Sequence, residues 1–588
     1  MPNWVARQNT QTIEQSNILN FLLSLFSPIN TITHTRIMNT YYHTTKNIWL
    51  LSFFLGLCTI TNPTLAQIST SEGTDFWVAF MANEDTTQHD RSLSIFATPL
   101  RNCSITVSNP NTGWIHTQSI TPSSVNQIYI PLSQAYTVNS GLVENKGIHV
   151  TTTDTITLYA ITRGYPNQDY TNVLPTHMLM SDYMVQTFPQ DRFSTEFAIV
   201  AAEDNVVVDI VLKGNTRDGH VSGETYSITL SHAGNMCQIQ SQRSVSSDLS
   251  GTRISARDGK KIAVFNGDAC AYIPSQAEGN SCDHVVEQAL PTAYWGKQFV
   301  VLGSQRNKND YVRITALYDN CEIRKNGTLL STISAGSTYQ YRMESNDAKD
   351  YIETTQPAMV YLYFASLNGN GEGDPSMTTI LPIEQGIDHV GFSAVSSGNI
   401  TNHYVYLVCP NASTGNISLD NVAISSSQFN SIPNFPDYKY TIKQIGQGAH
   451  HITNNSHNRF LVYLYGFGTR ESYGYTIGSA ANAINDSSNI TPPYPDSSTI
   501  WIPNIFTPDR QDNREFLIRS TNLLDAEVAI FHRWGMFLTR FNGLTETWDG
   551  TFKGKPCPTG AYVYKVTYHT LSEPSATKTA VGTVVLLR

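Results

Sequence analysis

A short cluster of reactive side chains, Cys282-Asp283-His284 with Glu287, holds the residue types of a nucleophilic site. A catalytic cysteine needs a histidine beside it in space to accept its proton. Neighbouring residues on a strand point to opposite faces, so Cys282 and His284 could share a face while Asp283 lies opposite. No nucleophile elbow or oxyanion loop accompanies the cluster in the sequence. The pattern favours a buried turn tied by Cys282, and we predict a protein without catalytic activity.

A second stretch, Gly373-Asp374-Pro375, resembles the self-cleaving Asp-Pro sites of some mucin-type domains. Those sites carry histidine after the proline, whereas this chain has Ser376. Because proline fixes φ and glycine tolerates positive φ, the sequence favours a tight turn at this position.

A third stretch could bind a cation. Asp509, Asp512 and Asn513 lie close together and offer oxygen atoms, which calcium prefers as ligands. The loop has no glycine and carries Arg510 and Arg514, whose charges disfavour a cation. We therefore predict a solvated turn here, and neither a metal site nor a cofactor in the chain.

The start of the chain predicts export. Lys46 precedes a short apolar run at 48–57, and small residues then lead to Ala66 and Gln67. These features are typical of a secretory signal peptide, with cleavage expected between Ala66 and Gln67. The apolar run is shorter than the roughly 20 residues that span a bilayer, so we expect no transmembrane segment in the mature chain. Residues 1–37 are interpreted as an upstream extension.

Composition narrows the classes of partner. Charged residues make up 14% of the chain, against about 25% in a typical globular protein. The formal net charge is −10 and no basic stripe is present, so we expect no nucleic-acid partner. Tyrosine, threonine, serine and asparagine replace the missing charges. Such side chains suit half-buried strands and turns, and tyrosine also suits surfaces that bind partners.

The cysteines allow disulfides. Of the 8 cysteines, Cys58 would leave with the signal peptide. An odd number then remains, so at least one thiol is free if every bridge is internal. Cys270 and Cys282 flank one short loop and form the predicted pair; the alternative is that the cysteines are buried and reduced. No Cys-x-x-Cys or His-x-x-x-His motif indicates a structural zinc site.

Four segments in the middle of the chain share one order of strands. Each opens on a strand of alternating polarity and closes on an aromatic-rich strand that follows a shorter one. The repeats recur too far apart for a solenoid and fit small β-sandwich units. We predict an all-β chain of tandem β-sandwich-like repeats, followed by a small C-terminal β-sandwich domain. The predicted units cover about residues 91–163, 194–274, 310–366 and 403–468.

Short motifs between these units carry a family resemblance. They include Gly73-Thr74-Asp75-Phe76-Trp77, Ser181-Asp182-Tyr183, Cys282-Asp283-His284-Val285-Val286-Glu287-Gln288, Gly373-Asp374-Pro375-Ser376-Met377 and Tyr465-Gly466-Phe467-Gly468. Together they resemble the N-terminal domain of IgG-Fc-binding proteins, a module of animal mucus proteins and bacterial surface proteins, over roughly residues 73–478. The resemblance implies a role in surface recognition or adhesion, and antibody binding is not carried over.

Residues 501–588 contain a second ordered set of landmarks. The set comprises Pro503, Asn504, Phe506, Thr507, Pro508, Arg533, Trp534, Gly535, Trp548, Asp549, Gly550, Gly560, Tyr562 and Arg588. Their order resembles the type B sorting domain of type IX secretion, also called the gliding-motility-associated C-terminal domain, of Bacteroidetes-like bacteria. The resemblance implies recognition by the type IX secretion machinery after passage through the periplasm. Trp534 and Trp548 are expected to be core or cross-strand anchors as well as recognition marks. Residues 479–500 read as a linker.

These features predict an exported, non-enzymatic protein of the cell surface or extracellular space. Its ligand would be a glycan, a mucin-like protein or another surface protein. Two alternatives stay open. One is a structural or gliding-related scaffold that self-associates. The other is a secreted hydrolase of glycans or glycoproteins, whose carboxylates need not be close in sequence.

Overall fold

The computed structural model describes residues 70–83, 91–122, 124–164, 167–278, 281–306, 310–366, 372–394, 400–480, 483–484, 499–509, 513–521, 523–570 and 576–588. The predicted signal peptide with Ala66 and Gln67, residue Asp512 and most of the predicted linker lie outside these ranges. In the described ranges the chain consists of strands that pair almost entirely antiparallel, which confirms the all-β prediction.

Within the described ranges the helices are short. An α-helical turn spans Leu132–Ala135, and 3-10 turns span Thr176–Met178, Val245–Ser247, Arg257–Gly259, Thr292–Tyr294, Ile383–Gln385, Asn411–Ser413 and Ser426–Gln428. Within the part of the chain that the structure describes, no helix has the length and apolar character needed to cross a membrane.

Between residues 70 and 480 one arrangement of two sheets occurs four times, and we call each occurrence a unit. Unit 1 contains the strands Gly73–Val78, Ser92–Pro99, Cys103–Asn109, Trp114–Ile120, Asn126–Ile130, Ile148–Arg163 and Gln168–Val173. Unit 2 contains Asp182–Met184, Thr195–Ala201, Val206–Val211, Thr225–Leu230, Met236–Gln240, Arg253–Ala256, Ile262–Ala271 and Asp283–Gln288, and Val143–Glu144 joins one of its sheets. Unit 3 contains Gly296–Leu302, Tyr311–Ala316, Cys321–Lys325, Thr328–Ile333, Thr338–Arg342, Lys349–Tyr363 and Met377–Ile380. Unit 4 contains His389–Ala394, Ile400–Pro410, Ile417–Leu419, Val422–Ala423, Asn430–Ile432, Phe435–Ile445, Gly448–Asn454, Leu461–Gly468 and Glu471–Thr476.

The strand order is the same in every unit. Along the chain come an entry strand, an opening strand, a hairpin of two strands, a fifth strand, a short strand, a closing strand and an inner strand. One sheet has the order inner, closing, opening, fifth. The other has the order entry, short, first hairpin strand, second hairpin strand. The prediction of tandem sandwich-like repeats is therefore confirmed, and each unit also includes an entry strand and an inner strand that lie outside the predicted ranges.

The short and closing strands differ between units. In units 1 and 3 they form one continuous strand that takes part in both sheets, Ile148–Arg163 and Lys349–Tyr363. In units 2 and 4 a turn separates them, because Asp258 and His457 adopt positive φ values of 57° and 55°. The continuous strand of unit 1 is half-buried with alternating exposure in its first part and buried on both faces in its second. This change in pattern marks the place where the strand passes from the outer sheet into the covered one.

The four inner strands bring the units together. Each contacts the next in cyclic order, and the fourth contacts the first, so that they close a ring: Gln168–Val173, Asp283–Gln288, Met377–Ile380 and Glu471–Thr476. The two ends of this region pair with each other as well. The Ser71 N–H donates to the Ser479 carbonyl at 2.7 Å, and the Ser479 N–H donates to the Ser71 Oγ at 2.9 Å. We refer to residues 70–480 as the body.

The C-terminal region, residues 499–588, has its own core. Its main sheet has the order Ile505–Phe506, Lys578–Leu586, Gly560–Thr570, Leu523–His532 and Phe537–Asn542. Two small sheets accompany it, formed by Thr499–Trp501 with Arg519–Thr521 and by Thr551–Phe552 with Lys555–Pro556. Buried side chains between these sheets include Phe506, Phe516, Trp548 and Val566. We refer to this region as the tail.

Candidate functional site

The reactive cluster named from the sequence has no free nucleophile. A disulfide joins Cys282, directly before the inner strand of unit 2, to Cys270 in the preceding closing strand, the pair named from the sequence. The sulfur of Cys282 is therefore bonded in the disulfide and provides no thiolate for catalysis. His284 is completely buried, and this burial lowers its pKa to about 4, so the ring is neutral at physiological pH. Cys282-Asp283-His284 thus contributes to packing at the ring of inner strands.

Five acidic side chains lie buried at that ring. None is more than 5% exposed, and they come from all four units: Asp169, Asp283, Glu287, Asp374 and Glu471. A buried carboxylate is unfavourable unless it is neutralised or accepts hydrogen bonds. Four of these carboxyls, those of Asp169, Glu287, Asp374 and Glu471, accept hydrogen bonds from another unit.

Asp169 of unit 1 connects three units. Its carboxyl oxygens accept from the Ser376 hydroxyl at 2.9 Å and from the Val286 N–H at 3.1 Å. A third bond comes from the N–H of Tyr170 at 2.9 Å. Burial raises the pKa of the Asp169 carboxyl well above its usual value despite these bonds, so the group favours its neutral form.

Glu287 of unit 2 also joins three units through hydrogen bonds. It accepts from the Thr171 hydroxyl of unit 1 at 2.8 Å and from the Thr379 N–H of unit 3 at 3.1 Å. Burial raises the pKa of Glu287 to about 8. A glutamic acid that is neutral at pH 7 can also donate a hydrogen bond, which a glutamate cannot do.

Asp283, Asp374 and Glu471 are the remaining buried carboxyls at the ring. Asp283 of unit 2 accepts from the His284 N–H at 2.8 Å, Asp374 of unit 3 accepts from the Ser472 hydroxyl of unit 4 at 2.9 Å, and burial raises the pKa of both carboxyls. Glu471 of unit 4 accepts from the Gln168 side-chain amide of unit 1 at 2.5 Å, and burial raises its pKa as well. Because these groups are closed to solvent, the acidic cluster joins the units and does not meet a dissolved ligand.

The Gly-Asp-Pro stretch is part of this junction. Gly373 has a φ of 78°, which a side chain would disfavour, and its N–H donates to the Gly468 carbonyl at 2.7 Å. The Asp374 carbonyl accepts from the Ser472 hydroxyl at 2.6 Å and from the Arg306 guanidinium at 3.3 Å. Units 3 and 4 are thus tied together at the turn.

A solvent-facing pocket lies where units 1 and 4 meet. Its volume is about 400 Å³, and we call it the seam pocket. Its lining residues are Thr98, Pro99, Leu100 and Pro122 from unit 1 and His389, Val390, Gly391, Ala449, His450, His451, Ile452 and Thr453 from unit 4. Apolar side chains and imidazoles therefore share one cavity of a size that suits small ligands.

Carboxylates hold the histidines of the seam pocket. His389 lies 3.6 Å from Glu72 and 2.7 Å from Asp388, and the interaction with Glu72, followed by that with Asp388, raises the pKa of His389 to about 9. His450 pairs through Nδ1 with Asp420 at 2.7 Å and donates through Nε2 to the Gly446 carbonyl. These bonds fix the imidazoles as oriented polar groups above an apolar floor. In the described ranges, no group of three or more histidine, cysteine or acidic side chains is arranged to hold a metal ion.

The landmarks of the tail divide into a buried group and an exposed one. Trp548 is 3% exposed and packs against Phe506 and Tyr562 at ring distances of 5.3 and 5.2 Å. Gly550 has a φ of 78°, and an added Cβ would lie 2.6 Å from the Leu586 side chain. Other landmarks lie at strand ends with differing exposure: Pro503 is buried, Thr507, Pro508 and Gly560 are half-buried, and Asn504 and Asp549 are exposed.

The terminal Arg588 fastens the buried group. Its guanidinium donates to the carbonyls of Gly550 and Cys557, both at 3.1 Å, and pairs with Asp509 at 2.8 Å. Asp509 is therefore the partner of an arginine, and the Asn513 side chain donates to the Ile505 carbonyl.

The prediction that Trp534 is a core or cross-strand anchor is wrong. Trp534 is 79% exposed, at the turn that joins strands Leu523–His532 and Phe537–Asn542. The turn is closed by the His532 N–H bonding to the Met536 carbonyl and by Gly535 at a φ of 86°. This geometry turns the indole away from the sheet, and the guanidinium of Arg533 lies 5.1 Å from its ring. The Arg-Trp-Gly motif thus forms a surface feature.

Two family models match this architecture. The model described as IgGFc binding protein matches residues 169–466, half of the 588-residue chain and inside the range expected from the motifs. The model described as the CHU_C type IX secretion signal domain matches residues 500–586.

Individual proteins show more distant similarity. The IgGFc-binding protein of Homo sapiens is 34% identical over 151 residues, which make up 25% of this chain and 3% of the human protein. The solved structure of dimeric latent PorU from Porphyromonas gingivalis aligns with 55% of this chain and 31% of its own at 10% identity and a TM-score of 0.12. The tetra-tandem repeat from the extending region of a large adhesion protein aligns with 69% of this chain and 98% of its own, at 12% identity and a TM-score of 0.10. Scores this low carry no structural argument.

The type IX signal domain supports export to the cell surface or beyond it. Since the first family model covers half of the chain, the chain belongs to the IgGFc-binding protein family, with a type IX secretion signal domain at its C-terminal end.

Proposed function

We propose that the mature protein is a non-enzymatic binding or adhesion protein that engages a glycan or glycoprotein through its body. The seam pocket is the observation that carries this proposal. It combines an apolar floor around Leu100 and Val390 with imidazoles whose orientation is fixed. A sugar ring has an apolar face, and this floor, flanked by the flat imidazole rings, offers a complementary surface for that face.

Filling the pocket tests this proposal. We expect the Ala449→Phe variant to lose at least tenfold in affinity for glycans that the full-length protein binds on a glycan and glycoprotein array. Ala449 lines the pocket and is half-buried, so a phenyl ring there would occupy the cavity. Val422→Phe in the same unit is the matched control, since Val422 is 70% exposed and does not line the pocket. Equal glycan binding by both variants would show that the seam pocket is not the binding site.

A self-associating scaffold is the second candidate function. Unit 1 exposes several apolar side chains, among them Ile115, Tyr129, Val138 and Leu142, which are each at least 56% exposed. Exposed apolar surface of this kind is typical of contacts with other proteins. Concentration-dependent association in sedimentation, together with no binding on the array, would favour the scaffold.

The tail is proposed to deliver this binding body. Deleting Trp501–Arg588 is expected to leave the protein in the periplasm of a bacterium with a type IX system, with at least tenfold less at the surface or in the medium. The body forms its own closed core and so remains folded without the tail. Cell fractionation and immunoblotting measure the distribution, and the full-length chain in a host without the machinery is the control. Normal export of the truncated chain would contradict the sorting role.

A further inference from the structure

A second pocket lies in the tail beside the exposed Trp534. Its volume is about 370 Å³. The residues that line it are His532, Met536, Leu538, Phe552, Lys553, Lys555, Pro556, Cys557, Pro558 and Tyr562. They come mainly from two turns, the one that carries Trp534 and the one that joins Thr551–Phe552 to Lys555–Pro556. We call the pocket and the Trp534 turn together the tail surface.

The tail surface exposes large apolar side chains that packing does not require. Trp534, Met536 and Phe537 are 79%, 55% and 48% exposed. Trp534 does not line the pocket, but its turn carries the lining residues His532 and Met536. Tryptophan is typical of the residues that dominate binding energy in protein interfaces. Elsewhere in the tail the landmark aromatic residues Phe506, Trp548 and Tyr562 are buried. The exposure of Trp534 therefore points to contact with another molecule.

The charge of the tail surface is positive. Lys553 and Lys555 are exposed at the pocket and Arg533 stands over Trp534, while none of the described residues that line the pocket is acidic. The chain as a whole has a net charge of −10, whereas residues 501–588 contain 10 lysines and arginines against 8 acidic residues. A cationic apolar surface on an acidic protein selects an acidic partner, because opposite charges steer association and disfavour competing proteins.

We propose that the tail surface docks an acidic segment of the type IX export machinery that inserts an apolar side chain into the pocket. The proposal rests on the sorting role of the tail and adds the face and the chemistry of recognition. The exposed indole of Trp534, on the turn next to the pocket, contacts the same segment beyond the inserted side chain. The ammonium groups of Lys553 and Lys555 pair with carboxylates that flank it.

Charge substitutions in the full-length chain test this proposal. We expect Lys553→Glu/Lys555→Glu to reduce the secreted fraction at least tenfold with a matching rise in the periplasmic pool, and Trp534→Ala to act in the same direction. Lys553→Arg/Lys555→Arg keeps both charges and should be secreted normally. Lys555→Glu compared with Lys565→Glu gives a matched single reversal, since Lys565 is equally exposed but does not line the pocket.

Folding and the sorting role are controlled separately. Thermal unfolding of each purified full-length variant should match the unsubstituted protein, because these side chains are exposed. Secretion of the double reversal at the normal level would overturn the proposal, as would an equal loss from Lys565→Glu. If deletion of Trp501–Arg588 blocks export while the double reversal does not, only the docking surface is wrong. If the deletion is also exported, the sorting role itself fails. A dimer in sedimentation that the double reversal dissolves would identify a second copy as the occupant and contradict the proposal.

Discussion

Replacing Arg306 with methionine should destabilise the body by about 3–5 kcal/mol, the usual cost of leaving one member of a buried ion pair alone. The side chains of Arg306 and Asp310 are 1% and 0% exposed, and they pair at 2.9 Å. Methionine fills much of the same volume, so the main loss is the charge that neutralises Asp310. A change of this size in the free energy of unfolding is a large fraction of the roughly 5–15 kcal/mol by which a domain is typically stable.

Arg306 also joins two units, which increases the expected effect. Its guanidinium lies 4.9 Å from the ring of Phe364 in unit 3 and 5.4 Å from that of Phe467 in unit 4. It further donates to the carbonyls of Ala365 and Asp374. Loss of these bonds removes a donor from the buried carbonyl of Ala365, whereas the Asp374 carbonyl keeps its bond from the Ser472 hydroxyl.

Urea unfolding followed by tryptophan fluorescence measures the change. Arg101→Met is the matched control, because Arg101 also pairs with an aspartate, Asp154, but is 76% exposed. Solvent screens an exposed pair, so the control should change little. Arg306→Met/Asp310→Asn should recover part of the loss by removing the unpaired charge. Equal stability of Arg306→Met and Arg101→Met would show that the buried pair does not hold units 3 and 4 together.

The repeated sandwich units were predictable from the sequence because their opening and closing strands follow simple patterns. Alternating polarity marks half-buried strands, and aromatic runs such as Met359–Ser366 mark strands that are covered on both faces. The lengths of the units were less predictable. Each extends into strands whose residues give no such pattern.

The inner strands were missed for a physical reason. Gln168–Val173 is buried at every position, yet it contains glutamine, aspartate, threonine and asparagine. Polar residues in a buried strand signal hydrogen bonds to another strand, and the sequence alone does not show which. A weak signal did exist: Leu-Pro follows the inner strands of units 1, 2 and 3 at Leu174, Leu290 and Leu381. The motifs quoted for the family resemblance, Cys282–Gln288 among them, contain parts of these same strands.

In the tail, the sequence identified the domain but did not predict the burial of individual residues. The order of its landmarks identified the module, but order does not tell a buried tryptophan from an exposed one. Trp548 is followed by Gly550, whose missing side chain lets the chain pack against Leu586. Trp534 is followed by Gly535, which instead closes an exposed turn. A tryptophan followed by a glycine therefore forms part of the core at Trp548 and an exposed turn at Trp534.

The stability of the body should fall as pH rises from about 5 to 8, because burial at the ring favours the protonated form of the acidic cluster in the folded state. Burial raises the pKa of Asp169, Asp283, Glu287, Asp374 and Glu471 above their unfolded values. A group with a raised folded pKa binds its proton more tightly when folded. Its contribution is complete below the unfolded pKa, near 4, and is lost as pH rises through the folded pKa. The loss of one whole proton on unfolding corresponds to about 1.4 kcal/mol of unfolding free energy per pH unit.

Glu287 is the best single test, because its pKa of about 8 defines the window from pH 5 to 8. Glu287→Gln carries an uncharged side chain of the same shape at every pH. The variant should therefore show a shallower decline than the unsubstituted protein, by about 1.4 kcal/mol per pH unit, in urea unfolding at several pH values. Asp154→Asn is the control, since its partner Arg101 lowers the pKa of Asp154 to about 2 and the group does not titrate between pH 5 and 8. If the free energy of unfolding declined equally with pH in Glu287→Gln and in the unsubstituted chain, Glu287 would be ionised in the folded state. Proton binding by Glu287 would then not cause the pH dependence.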